Sequence, residues 1–137
     1  DGYFCAVDRH LSVGPANDTF QTAPNSLMDA GQAVFDRAKP GATISDLFHA
    51  MNDVVNPDND GSDAGRLGHG VGMQLTEWPS IIKEDHTLLD PGMVLALEPA
   101  IETGDGLLMV HEENIVVREG GCELLTRRAA RQMPIIK

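Results

Sequence analysis

Cysteine is nearly missing from this chain of 137 residues, which holds only Cys5 and Cys122. Two thiols cannot build a disulfide framework, and the expectation is reduced cysteines in a cytoplasmic protein. Neither has the helix-terminus or basic sequence context that marks a nucleophile. Positive charge is scarce as well. Ten Lys and Arg stand against 21 Asp and Glu, a net charge of −11. Such a surface repels phosphate backbones, so no nucleic acid partner is expected. No apolar run approaches the ~20 residues of a membrane-spanning helix. The first residues lack a basic stretch leading into an apolar one. A Gly-x-Ser-x-Gly elbow, a phosphate-cradling Gly-x-x-x-x-Gly-Lys, internal repeats and low-complexity tracts are all missing too. What the length does allow is one domain with one good core. The chain opens in what reads as a strand, Asp1-Gly2-Tyr3-Phe4-Cys5-Ala6-Val7, with no initiator Met, and the expectation is a piece of a longer chain.

The pattern along the chain predicts a strand over 3–13, ended by Gly14-Pro15. Helical spacing of Leu27, Gly31, Val34, Phe35 and Ala38 predicts a helix over about 20–38, with Pro24 in its first turn or at a kink. Lys39-Pro40-Gly41 stops it. Thr43 then opens a second helix, with Asp46 three positions on in a capping-box arrangement. Ile44, Leu47, Phe48, Met51, Val54 and Val55 line one face of that helix. Residues 56–66 are polar and read as a loop. Asn56, Asp58, Asp60 and Gly61 mimic the start of a calcium-binding EF-hand loop, but its twelfth position is Leu67 where a bidentate Glu is needed, and no helix follows. Strands are predicted over 69–75, 93–101, 107–117 and 122–126. Met28, Met51, Met93 and Met109 sit in apolar segments and read as core. The order of one strand, two helices and then several strands argues for an α+β fold rather than an alternating βαβ sheet.

Three residues then stand out for chemistry. Glu98 follows Val94-Leu95-Ala96-Leu97, a stretch otherwise built for burial, and leaving a buried carboxylate unpaired costs roughly several kcal/mol. It is therefore a strand-end residue facing solvent, a paired group or a ligand. Glu112 lies in a polar interruption, His111 to Asn114, between apolar halves. On a strand it shares a face with Leu108, Val110, Asn114 and Val116. It reads either as part of an exposed bulge or as a group pointing into a site. His69 lies among Gly68, Gly70 and Gly72, whose small size lets backbone and ligand approach closely. One imidazole and two carboxylates suit Mn, Fe, Co or Zn better than Ca or Mg.

The chain resembles the C-terminal half of a pita-bread domain of the creatinase/methionine aminopeptidase superfamily, peptidase family M24. The resemblance runs from Gly2 to about Leu125. Its motifs are Gly2-Tyr3-Phe4-Cys5-Ala6-Val7-Asp8-Arg9, Lys39-Pro40-Gly41-Ala42-Thr43, Gly68-His69-Gly70-Val71-Gly72, Asp90-Pro91-Gly92-Met93, Leu97-Glu98-Pro99 and Glu112-Glu113-Asn114-Ile115-Val116-Val117. Gln74-Leu75-Thr76-Glu77-Trp78-Pro79-Ser80 resembles the Xaa-Pro peptidase-like subgroup, which includes ectoine-hydrolase and dimethylsulfoniopropionate-lyase relatives. The resemblance implies a partial pita-bread domain over 1–137, lacking its N-terminal part. It implies a site for one or two divalent metals (Mn, Co, Zn or Fe) in which His69, Glu98 and Glu112 are ligands and Glu98 is also the catalytic proton carrier. Glu113 is the less fitting match, because Ile115-Val116-Val117 sets the register. Thr76 and Trp78 become substrate-binding candidates, and a peptide or small amide becomes the substrate.

Two departures accompany the resemblance. Ala6 stands where the family's second aspartate ligand would be, and the first would lie before Asp1. Asp8 shares Ala6's strand face and would substitute only after a shift of about 6–7 Å. Thr76 stands where metallopeptidases of the family carry a histidine. Three functions follow as expectations. One is a part or homologue of a metal-dependent Xaa-Pro peptidase-like hydrolase, inactive as the isolated chain. The second is a non-peptidase pita-bread enzyme, a creatinase-like amidohydrolase or a lyase. The third is a catalytically dead binding module. A half-domain exposes the surface its other half would cover, so the 137-residue chain is predicted to form a homodimer or oligomer. Sedimentation velocity checks this, and a clean monomer contradicts it.

Overall fold

The structure is a computed structural model that describes residues 2–59, 61, 65–104 and 106–137. Asp60, one of the calcium-like positions, lies outside the described residues. In chain order come β1 (Ser12–Val13), α1 (Asp18–Phe35), α2 (Ile44–Val55), β2 (Gly68–Gly70), β3 (Glu77–Ser80), β4 (Val94–Leu97), β5 (Ala100–Glu102), β6 (Leu108–Val110), β7 (Glu113–Arg118), β8 (Gly121–Leu124) and β9 (Ile135–Ile136). The fold is α+β. A five-stranded antiparallel sheet runs in the order β3-β2-β4-β7-β8, flanked by the small pairs β1-β9 and β5-β6.

The two helices cover one face of the sheet. Ala30 and Val34 of α1, and Ile44, Leu47, Phe48 and Met51 of α2, pack with Leu95, Leu97, Ile115 and Val117 of β4 and β7 in one buried cluster. The α2 face matches the sequence spacing, and its capping box is present. Thr43 Oγ1 accepts from the Asp46 N–H at 3.1 Å, and the Asp46 carboxylate accepts from the Thr43 N–H at 2.8 Å. The Thr43 N–H and the Thr43 hydroxyl, which both donate to it, hold the Asp46 carboxyl below its ordinary range.

Several expected boundaries move, each for a physical reason. Helix α1 starts at Asp18 because the Asn17 side chain caps it, accepting from the Phe20 N–H at 2.9 Å. Pro24 is therefore buried in the helix interior rather than in the first turn. Within the expected 3–13 strand, only Ser12–Val13 pairs, in parallel with Ile135–Ile136. Among the described residues no strand runs beside 3–11. That segment is instead tied at points, by the Phe4 N–H to the Gly72 carbonyl at 2.8 Å and by Ala6 to the Asn114 side chain. The expected 69–75 strand ends at Gly70. Beyond it the Glu77 carboxylate folds back over Gly72 and accepts from the Gln74 N–H at 2.7 Å, so Glu77–Ser80 returns as β3.

Thr43→Ala removes the α2 cap and is expected to lower stability by about 1 kcal/mol. Urea unfolding of the variant and the unmodified chain, read at equal slope, measures the loss.

Candidate metal centre

The site is built on the sheet face away from the helices. His69 pairs with Ala96 across β2 and β4, and Ala96 pairs with Asn114 across β4 and β7. Paired residues share a face, so His69, Ala96 and Asn114 form one row. Glu98 lies two residues after Ala96, and Glu112 two before Asn114. The last regular pair of that ladder is Leu97 with Glu113, and one further step sets Glu98 against Glu112. Regular pairing lapses at that step. β4 stops at Leu97 and β5 begins at Ala100, while β6 stops at Val110 and β7 begins at Glu113. The register itself carries across: the Glu98 N–H bonds to the Leu67 carbonyl of the β2 side at 2.8 Å, and the His111 N–H to the Pro99 carbonyl at 3.1 Å. The two long strands expected over 93–101 and 107–117 are thus each interrupted at a carboxylate.

Glycine makes room for His69. Gly68 has φ +151°, and a Cβ there would collide with the Ala96 carbonyl. A Cβ on Gly70 would collide with the Trp78 carbonyl. Both flanking positions must lack a side chain for β3 and β4 to close on either side of the histidine.

The geometry brings three expected residues together: His69, Glu98 and Glu112 each offer a ligand atom within 4.8 Å of the others. His69 is 2% exposed. Its Nδ1 lies 2.8 Å from the Gly70 carbonyl oxygen, which can only accept, so in the neutral ring Nδ1 carries the proton. Nε2 keeps its lone pair and faces Glu98 Oε1 at 3.4 Å. Glu98 is the more open carboxylate, with Arg66 Nε 3.6 Å from its Oε2. Glu112 is buried, and its carboxyl is pushed up to about 7. Burial is the main cause, reinforced by the negative charges of Glu98 and Asp8 and by a hydrogen bond with Glu98; Arg66 pulls the other way. A lone-pair nitrogen and two carboxylates form a donor set that fits a divalent cation.

The other expected residues fall elsewhere. Glu113 points away from the cluster and is held by Arg9, His111, Thr126 and the Ala129 N–H. The backbone of Ala6 is bonded to the Asn114 side-chain amide, and its methyl replaces the ligand carboxylate that the resemblance implies at this position. Asp8 is exposed and outside the cluster, although its charge reaches Glu112. Thr76, on the connection from β2 into β3, and Trp78, in β3 itself, are exposed and also outside the cluster; Trp78 lines a cavity with Tyr3, Glu77 and Met93. Sequence reasoning missed Arg66, whose partner Glu98 is 32 positions away with no spacing to suggest it. It also missed the role of Asn114, although that residue already shared a predicted strand face with Glu112.

Residues 1–119 match the sequence model of metallopeptidase family M24. The chain is 29% identical over 126 residues to an Xaa-Pro dipeptidase of Pyrococcus furiosus, covering 91% of this chain and 36% of that protein. It is 30% identical over 122 residues to an Xaa-Pro dipeptidase of Lactobacillus helveticus, covering 88% and 33%. Among solved structures, the X-Pro aminopeptidase of Thermotoga maritima superposes with a TM-score of 0.87 at 26% identity, over 98% of this chain and 38% of that one. The chain therefore spans little more than a third of the length of the relatives it matches. It corresponds to part of a pita-bread domain.

The raised Glu112 carboxyl sets a sign for pH dependence in the metal-free protein. Folded Glu112 keeps its proton up to about 7, whereas the unfolded group loses it near 4.5. The folded state binds the extra proton between those values, so stability is greatest below that window and falls as pH rises through it. Urea midpoints in chelator should decline between about pH 5 and about pH 8. Glu112→Gln should flatten the decline, and parallel profiles for the two proteins would contradict the assignment.

Proposed function

Because the chain belongs to metallopeptidase family M24, we propose that it is the C-terminal, metal-binding part of the catalytic domain of an Xaa-Pro peptidase-like hydrolase. Its substrate is a peptide or a small amide. The observation that carries this reading is the convergence of His69 Nε2 with the Glu98 and Glu112 carboxylates. Those three residues are the proposed ligands of a divalent ion, with Mn, Co, Zn and Fe all compatible with one nitrogen and two carboxylates. Such an ion, when bound, polarises a carbonyl and lowers the pKa of a coordinated water.

The chain's own residues divide the remaining work. Glu98 is the proposed catalytic carboxylate. It is the more open of the pair, and it can take a proton from the attacking water and return it to the leaving nitrogen. Glu112 is buried, which suits a fixed ligand better than a proton carrier. His69 is held in one tautomer by the Gly70 carbonyl, so its lone pair is permanently aimed at the site. Thr76, before β3, and Trp78, within it, are proposed to meet the substrate, a role their exposure permits. A cytoplasmic location and self-association through the exposed apolar surface complete the reading.

Ala6 favours a second reading, a creatinase-like enzyme of other chemistry. An alanine beside Asn114 brings no carboxylate to that flank of the site. For the same reason the isolated chain is proposed to be inactive, or to act only in binding or assembly.

Metal analysis and an Xaa-Pro dipeptide assay on the full-length protein test the primary reading. Bound divalent metal, cleavage, and a drop in kcat of about 10²–10⁴-fold in Glu98→Gln are expected. No metal and no cleavage would sink it, and turnover that survives strong chelation would favour the second reading.

A further inference from the structure

Glu112 and Glu113 are adjacent carboxylates, both buried, yet they end up in different networks. Glu112 joins His69 and Glu98. Glu113 Oε2 accepts from Arg9 Nη2 at 3.1 Å and from the Thr126 hydroxyl, while its Oε1 accepts from the Ala129 N–H at 3.3 Å and lies 3.2 Å from His111 Nε2. Arg9 does more than neutralise Glu113. Its Nη1 donates to the Glu112 carbonyl at 2.8 Å and to the Asp8 carbonyl at 2.8 Å, and its Nη2 donates to the Arg127 carbonyl at 2.6 Å. One guanidinium therefore grips the backbone of Glu112 and the side chain of Glu113 together.

The grip falls where regular strand pairing lapses. Residues 111 and 112 lie between β6 and β7. The His111 N–H is held by the Pro99 carbonyl, whereas the Glu112 carbonyl is held by Arg9. Rotation of the Glu112 backbone would carry its carboxylate out of the site or bring Glu113 towards it. We propose that Arg9 and Glu113 are positioning residues for Glu112: the fork of Arg9, seated on the buried Glu113 carboxylate, fixes the backbone of the interrupted strand so that Glu112, and not Glu113, faces His69 and Glu98. The proposal rests on the metal-site reading above. Lysine cannot replace this arginine. A single ammonium lacks the planar fork that reaches four acceptors at once.

The test is calorimetric titration of Mn²⁺ into the full-length protein, with the urea midpoint of each metal-free variant measured alongside. Arg9→Lys should bind Mn²⁺ about 10–100-fold more weakly, the range seen when groups that orient metal ligands are removed. Thr126→Val removes one donor to Glu113 and the acceptor of the Asn114 N–H at little cost in volume, and should weaken binding in the same direction by less. It decides the matter if Arg9→Lys does not fold. Arg131→Ala, which breaks the exposed pair with Asp29, should leave Mn²⁺ affinity unchanged. Folded Arg9→Lys or Thr126→Val with unmodified Mn²⁺ affinity and only a lowered midpoint would overturn the positioning role while the metal-site reading stands. If the unmodified protein binds no Mn²⁺, or Glu112→Gln binds it equally well, the metal-site reading fails and this inference falls with it.

Discussion

Leu97 sits opposite Glu113 across the β4–β7 ladder, and that register decides where each charged group of the site goes. Side chains alternate along a strand, so a slip of one residue would turn every member of β7 to the other face. Ile115 and Val117 would leave the helix-packed core, and Asn114 would leave the face it shares with His69. The apolar packing of Leu95, Leu97, Ile115 and Val117 against α1 and α2 therefore does a second job. It holds in place a row of polar groups that would not choose one another in its absence.

Those polar groups are divided so that no carboxylate is simply abandoned to low dielectric. Glu113 is satisfied by four donor groups, one of them the charged Arg9 guanidinium. Glu98 has Arg66 and His69 beside it, and burial together with the charge of Glu98 raises the proton affinity of Glu112. The contrast is informative. A buried acid with a complete set of partners serves the fold, whereas two carboxylates beside an aimed imidazole lone pair are a donor set that fits a cation.

How much of this was readable beforehand differs by element. The α2 helix was legible to its cap, because Thr43 and Asp46 are local signals and its apolar stripe has helical period. The three residues that converge were legible through their motifs, and the α+β class through element order. The lapse at Glu98 was not, since the residues before it are as apolar as in an unbroken strand, whereas the polar run His111 to Asn114 did hint at the one beside Glu112. Residues 3–11 look strand-like in composition, but a strand needs a neighbour, and composition does not report one. β9 escaped notice for the opposite reason. Two isoleucines near the end carry no period, and only Ser12–Val13 reveals their partner.

Arg9 also ties the site to the order in which the chain assembles. It bonds to the carbonyl of Glu112, 103 positions away, and to that of Arg127, 118 positions away. Contacts that span most of a chain carry a large loop-closure entropy, and nothing offsets it until both ends have been brought close by other structure. The helices and the β2–β4–β7 core can gather from shorter-range contacts. The bond to Glu112 cannot close until residue 112 exists and has folded back. During synthesis, then, the backbone of Glu112 gains this support only after most of the chain has been made.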